Sequence, residues 1–438
     1  MFEQLRDLRD RYGYDVTAIV SGSQGNLINK LKSENIPYHV IDFAAGPGPL
    51  IETLLMPLAI LKLALIFRRE RFDLVQHHIF VSMRIARPAA WLAGVRIRIS
   101  MLSGPFHLQA PTSRWIERLT HWMDTMLIPS CEISADLCRE IGIPEDRIGP
   151  VIYYGPDEHR FDPERVKPVD IRAQFGWPPD TPVVCMVAFF YPRLSTGSWV
   201  PLEVRNRGIK GHGDLVRAAP IVLKEIPNAR FLLVGSGWGD HGERYFEEVK
   251  ELVRDMNLES AVAFPGYRED ANGVLLASNV AVQASLNENL GGTIESLLMR
   301  CPTVATRVGG LVDSVKDNET GVLVNPSDPQ DLARGIIQLL RDRETASKLG
   351  HRGREYMLER FTLKHTVKNL DSIYVQLNEI CGQPRKVYSL FVTAGRLVIA
   401  VPLFAWIGFR LFFIDGYFIY KLGRGIRNTI LGQKPREV

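Results

Sequence analysis

From residue 73 to residue 310, short unbroken apolar runs alternate with stretches whose apolar positions recur every three to four residues. The runs are DLVQHH (73–78), IRISML (97–102), TMLIPS (125–130), PVVCMVAFF (182–190), ARFLLVG (229–235), AVAFPG (261–266), VAVQAS (280–285) and PTVATRVGG (302–310). Runs that do not alternate with polar residues are those of strands covered on both faces. With a helical stretch after each one, they predict parallel sheet with helices on either side. Ahead of them, residues 2–11 predict a charged helix carrying Phe2, Leu5 and Leu8, and a further apolar run follows Tyr14. Helices are also predicted at 54–67, 331–340 and 356–381.

The alternation is interrupted once, by PDEHRFDPERVKPVD at 156–170, whose prolines and charges have the composition of a linker. It divides the chain into an α/β unit over 1–160 and a second over 170–355, followed by a closing helix over 356–382 and a tail over 383–438. A chain of 438 residues with 46% hydrophobic and 23% charged positions has the composition of a folded globular protein. A net charge of +4 gives no reason to expect a nucleic-acid partner, and five scattered cysteines without a CxxC pair predict no disulfide framework and no zinc site.

Charge changes the picture only at the carboxy-terminus. From residue 385 onward there are nine lysines and arginines against two acids, so the remainder of the chain is slightly acidic. The longest uncharged run in this tail, 397–409, is too short for a simple span, and Pro402 would kink a helix there. On a helical projection Arg385, Arg396, Arg410, Lys421 and Arg424 fall within about 80° of one another. That is a basic stripe on an apolar segment, which predicts a tail lying in an anionic membrane interface. The apolar stretch 54–67, followed by Arg68, Arg69 and Arg71, either packs in the core or docks at the same surface.

Candidate chemistry concentrates at 279–325. A predicted strand runs into a polar loop containing Gly291 and Gly292, and a helix is expected from Thr293. Glycines let backbone approach a ligand closely, and amides opening a helix favour an anion. Glu295 is placed to accept hydrogen bonds from a vicinal diol such as a ribose. A glutamate in a first helical turn is also favoured by the helix dipole alone. Gly235-Ser236-Gly237-Trp238-Gly239-Asp240 has the wrong spacing for a dinucleotide fingerprint.

The same stretch resembles the retaining glycosyltransferases of family 4, which have the GT-B fold. The resemblance is carried by Glu288, Gly291, Gly292 and Glu295, then Pro302, Val304, Ala305, Val308, Gly309 and Gly310, then Glu319-Thr320-Gly321 with Leu323 and Val324. It extends to Lys210-Gly211-His212, to the turn at Gly266-Tyr267-Arg268, to Asp73–His78, to Ser103-Gly104 with His107, and to Tyr154-Gly155-Pro156-Asp157. It implies an α/β GT-B protein of two Rossmann-like domains facing across a cleft, with the apolar basic tail added. In that reading Lys210 and Gly211 face the donor phosphates with Gly291, Gly292 and Thr293. Glu295 holds the ribose, and Gly266 and Arg268 the base. Glu288 or Asn287 and His107 stand at the transferred sugar, and Ser103, Gly104 and His78 line the acceptor side. No cofactor and no metal are implied beyond the UDP- or GDP-linked sugar itself.

Three departures from the family pattern stand out. Glu288 and Glu295 are one residue closer together than usual, so that either Asn287 or Glu288 takes the first glutamate's place. The strand that ordinarily ends in Ala-Arg ends in Ala188-Phe189, and Arg193, Arg205 and Arg207 in the following insertion are the candidates to replace that arginine. The strand and Gly-Gly loop with which the family opens have no counterpart before the first helix. The expectation is a retaining, metal-independent glycosyltransferase at the cytoplasmic face of a membrane, using a lipid-linked saccharide acceptor for surface polysaccharide or glycoconjugate synthesis. A non-catalytic GT-B-like partner subunit and a GT-B sugar-nucleotide epimerase are the alternatives.

Overall fold

The computed structural model describes residues 1–22, 25–41, 49–382 and 395–396. Nearly all of the tail over 383–438 therefore lies outside the described residues, and of its basic stripe only Arg396 is described. Eleven strands are described, all in parallel pairings. In the amino-terminal half β1 (Ala18–Val20) pairs with β2 (Tyr38–Val40). Separately, β3 (Leu74–His78), β4 (Ile97–Leu102) and β5 (Met126–Pro129) form a three-stranded sheet. β1 and β3 are not bonded to each other. In the carboxy-terminal half β6 (Val183–Val187), β7 (Arg230–Val234), β8 (Val262–Gly266), β9 (Val280–Gln283), β10 (Thr303–Thr306) and β11 (Val322–Val324) form one sheet. Its order is β11-β10-β9-β6-β7-β8.

The eight predicted apolar runs correspond to β3 through β10. β2 and β11, each three residues long, carry too little pattern to announce themselves. β9 and β10 are buried at every position, as strands covered on both faces must be. One apolar cluster runs from Val184 through Val222 and Val249 to Ile336 on one face of this sheet, and a second from Cys185 through Leu297 to Phe361 covers the other.

The predicted single helix at 356–381 is two helices, Arg343–Arg360 and Leu363–Cys381. The break falls where the chain crosses back to the amino-terminal half. There Leu363 N–H donates to the Pro156 carbonyl at 2.8 Å, Gly155 N–H to Thr366 Oγ1 at 2.9 Å, and Thr366 Oγ1–H to the Tyr153 carbonyl at 2.6 Å. The two crossings between the halves, 153–156 and 361–366, are thus bonded to one another. Beyond them Leu363, Val367, Leu370 and Tyr374 pack on Ile97, Ile99 and Ile128 of the amino-terminal sheet.

Parallel strands put all their carboxyl ends on one edge, where such sheets bind ligands. Here the two edges meet. The segments after β4 and β5 touch those after β9 and β10 at several points. Gln109 accepts from Asn287 Nδ2, Ser130 Oγ donates to Asn289 Oδ1 at 2.9 Å, and Glu132 N–H donates to Asp313 Oδ2 at 2.8 Å.

Candidate active site

The loop between β9 and helix Thr293–Leu298 is shaped by glycines on both sides. A Cβ at Gly309, where φ is +52°, would lie 1.8 Å from the Glu288 carbonyl oxygen, and one at Gly310 would lie 2.1 Å from that of Asn289. The Val-Gly-Gly sequence after β10 is therefore the floor on which Glu288 and Asn289 rest. Gly291 also has a positive φ, +53°, which folds the loop back so that a Cβ there would come within 3.0 Å of the Glu288 side chain.

On this floor Glu288 and Asn287 point to opposite sides. Glu288 turns into its own half, where Oε2 pairs with Lys210 Nζ and accepts from Ser285 Oγ at 3.1 Å, while Oε1 accepts from Asn289 N–H at 3.1 Å. Asn287 is buried and reaches the amino-terminal half through Gln109. Lys210 also sits 5.6 Å from the centre of the Tyr191 ring. Burial alone would lower the pKa of this ammonium, but the adjoining Glu288 carboxylate, with Tyr191 and Glu295 further off, outweighs it and holds the pKa above the ordinary lysine value. Lys210 is therefore a fixed positive charge. Gly211 opens helix His212–Glu225 against the Ala284 carbonyl, which fixes where Lys210 stands.

Glu295 accepts no hydrogen bond to its carboxylate among the described residues. Burial raises its pKa, opposed by Arg160 and Lys210. Arg160, from the linker, is a neighbour that its proline-rich sequence context gave no reason to single out. Gly292 abuts the Gln283 side chain. Thr293, expected at the phosphates, is instead fully buried and hydrogen-bonded to the Leu290 carbonyl and, at 2.7 Å, to Ser314 Oγ, so it shapes the loop.

The missing arginine is not replaced from the insertion. Arg193 pairs with Glu248 at 2.5 Å, Arg205 donates to the Val200 carbonyl, and Arg207 binds Ser327 and Asp214. What stands at the end of β6 is an aromatic wall. Phe189 stacks on Tyr267 with ring centres 5.9 Å apart and meets Trp238 edge-on at 5.1 Å, and Tyr191 lies 5.6 Å from Trp238. Trp238 and Tyr267 are both more than half exposed. Arg268, beyond Gly266 in the same turn, is committed to a bidentate pair with Asp270 and a 3.0 Å bond to Gln174. Tyr267 is the residue of that turn that joins the wall.

Across the interface, Gly104 faces Asn289, and Ser103 adjoins it. His107 is buried with its ring stacked on Phe80 at 5.6 Å and its Nε2 without a hydrogen-bond partner among the described residues; burial pulls its pKa down to about 4, leaving a neutral imidazole. His78 is neutral too, its pKa lowered to about 3 by burial. Its Nδ1 bonds Tyr154 Oη at 2.7 Å and its Nε2 bonds Gln76 Nε2 at 3.0 Å. With Gln76 donating, His78 carries its proton on Nδ1 and is fully engaged in positioning the end of β3.

Asp313 links the halves with an unfavourable charge. Burial pushes its pKa up to about 6 although Glu132 N–H donates to it. Since the folded-state pKa lies above the unfolded one, the folded state holds the proton more tightly, and ionisation between about pH 4 and pH 6 costs stability. Asp313→Asn keeps an oxygen for Glu132 N–H. It is expected to stabilise the protein by on the order of 2 kcal/mol at pH 7.5 and by less than half of that at pH 4.5, measured by urea unfolding at the two pH values.

Comparison with known proteins agrees with the fold. Residues 2–153 match the model of the glycosyl transferase 4-like domain, and residues 204–356 that of glycosyl transferases group 1. The chain is 30% identical over 183 residues to N-acetyl-alpha-D-glucosaminyl L-malate synthase of Bacillus anthracis, covering 41% of this chain and 46% of that protein. It is 30% identical over 199 residues to the lipopolysaccharide core biosynthesis glycosyltransferase LpsE of Rhizobium meliloti, covering 45% and 51%. The chain thus spans about half the length of these two relatives. In fold it is similar to Anabaena Alr3699/HepE, solved in complex with UDP and glucose, with a TM-score of 0.68 at 19% identity over 86% of this chain and 94% of that one.

Proposed function

The chain belongs to the group 1, GT4-type glycosyltransferases of GT-B fold, and from that premise we propose that it moves a sugar from a nucleoside-diphosphate donor to a lipid-linked saccharide acceptor in surface polysaccharide or glycoconjugate synthesis. The observation that carries the reading is Lys210, a cation held by Glu288 between the aromatic wall and the Gly291-Gly292 loop. Lys210 neutralises the departing diphosphate as a point charge, taking the part a metal plays in other sugar transferases. Phe189, Tyr267 and Trp238 offer the base a stacking surface where the family has an arginine. Glu295, free of hydrogen bonds within the described protein, accepts from the ribose hydroxyls. The amino-terminal half presents the acceptor across Ser103-Gly104 and Gln109, the contacts that close the two halves exclude water, and transfer proceeds with retention. The site faces the cytoplasm, where nucleotide sugars are supplied.

The test is thermal stabilisation by UDP, GDP and ADP, on wild type and on Glu295→Ala. A nucleotide at 100 times its dissociation constant adds about 2.7 kcal/mol. UDP or GDP is expected to stabilise wild type, and the variant is expected to lose most of that response. A folded wild-type protein that responds to none of them overturns the reading in favour of a non-catalytic partner subunit.

A further inference from the structure

Helix Pro49–Glu70 has two apolar faces, and among the described residues only one of them is covered. Ile60, Leu63 and Phe67 are buried against helix Phe80–Ala93. Leu58, Leu61 and Leu65 are 60%, 43% and 67% exposed. At about 100° per residue the two trios centre roughly 160° apart, on opposite sides of the helix. Lys62 and Arg69, both exposed, project within about 70° of the centre of the open leucine stripe and border one edge of it. Arg71, also exposed, follows at the helix end. Leucines edged by long cationic side chains are the composition of a helix lying in a lipid interface, apolar face down and ammonium or guanidinium heads in the phosphate layer. No described helix is long and apolar enough to cross a membrane, so this one would lie along the surface.

We propose that the Leu58–Leu61–Leu65 face of this helix rests in an anionic lipid surface and fixes the acceptor-side half of the protein to it. The proposal rests on the reading of a lipid-linked acceptor and adds the surface by which the protein meets that lipid. Charge selects the occupant. The chain's own tail, nine basic residues against two acidic, would be repelled by Lys62, Arg69 and Arg71, and so would a second copy of the same face. An anionic leaflet complements both the helix and the tail. Residues 395–396, the described part of the tail, lie against the same half of the protein. Arg396 donates to the Trp91 carbonyl, and its guanidinium lies 5.3 Å from the centre of the Trp91 ring, on the helix against which Pro49–Glu70 packs.

The experiment uses the full chain, with vesicles of phosphatidylglycerol and phosphatidylcholine or of phosphatidylcholine alone. Wild type is expected to float with the anionic vesicles. Leu58→Gln combined with Leu65→Gln is expected to weaken that binding at least tenfold while leaving the melting temperature and the UDP or GDP response unchanged. An environment-sensitive fluorophore on Leu61→Cys is expected to shift to the blue only when anionic vesicles are added. Vesicle binding unaffected by the double substitution would assign attachment to the tail alone and overturn the proposal. So would a fluorophore already blue-shifted without vesicles, which would mean that the tail or a second copy covers the face. The nucleotide response is read separately, so a failure of the transferase reading leaves a different signature from a failure of this one.

Discussion

Lys210→Met is expected to lower sugar transfer by about 10²–10³-fold, mostly in kcat. The lysine is the cation that Glu288, Tyr191 and the start of helix His212–Glu225 hold in one place. A fixed charge near a leaving diphosphate acts more strongly in the transition state, where negative charge builds on that group, than in the bound donor. Its removal therefore affects turnover more than donor affinity. The insertion offers no reserve, because Arg193, Arg205 and Arg207 are bound elsewhere. The same substitution leaves the Glu288 carboxylate half-buried with Ser285 and the Asn289 amide as its partners among the described residues. Some loss of thermal stability accompanies the loss of activity, and Lys210→Met with Glu288→Gln is expected to restore the stability without the activity. Release of nucleoside diphosphate, followed against donor concentration, separates kcat from KM. An unchanged kcat in a folded Lys210→Met protein would remove the lysine from the chemistry.

Much of this site was legible because its determinants are local. The glycines at 291, 292, 309 and 310 sit in one stretch of sequence, and the structure supplies their reason: side chains there would collide with Glu288, Gln283 and the carbonyls of Glu288 and Asn289. The choice between Asn287 and Glu288 was not legible. It depends on Gln109, 178 residues away, which takes the asparagine, and on Lys210, 78 residues away, which takes the glutamate. Arg268 misleads for the opposite reason, since the carboxylate that removes it from the cleft is only two residues on. The loss of the arginine at Phe189 reads as a deficit in one dimension. In three it is one member of a wall whose other rings follow β7 and β8. The Glu132–Asp313 bond spans 181 residues and has no local signature at all.

Arg87→Met is expected to have the largest effect on the fold, a loss of about 3–5 kcal/mol confined to the amino-terminal half. Arg87 is almost completely buried and donates to Asp124 at 2.6 Å, to Glu117 and Thr120 at 2.7 Å and to Ser100 at 3.3 Å. Asp124 bonds His77 Nε2 as well, at 3.2 Å. Burial would raise the Asp124 pKa, yet Arg87 and His77 hold it below the ordinary carboxylate value, so the aspartate stays ionised. Without Arg87, two buried carboxylates lose their cation, and an uncompensated buried charge costs more than the pair ever contributed. The network joins the end of β3 to helix Pro111–Thr120, which meets the carboxy-terminal half through Thr112 and Ser198. Losing it is expected to abolish transfer while the UDP or GDP response of the other half persists. Trp91 and Trp122, in edge contact at 5.2 Å beside this network, report its unfolding by fluorescence, although the other tryptophans must first be replaced. Neutralising all three partners as Arg87→Met, Glu117→Gln and Asp124→Asn is expected to recover most of the lost stability. A triple variant no better than Arg87→Met alone would place the arginine's contribution in packing and would remove charge compensation as the reason for its burial.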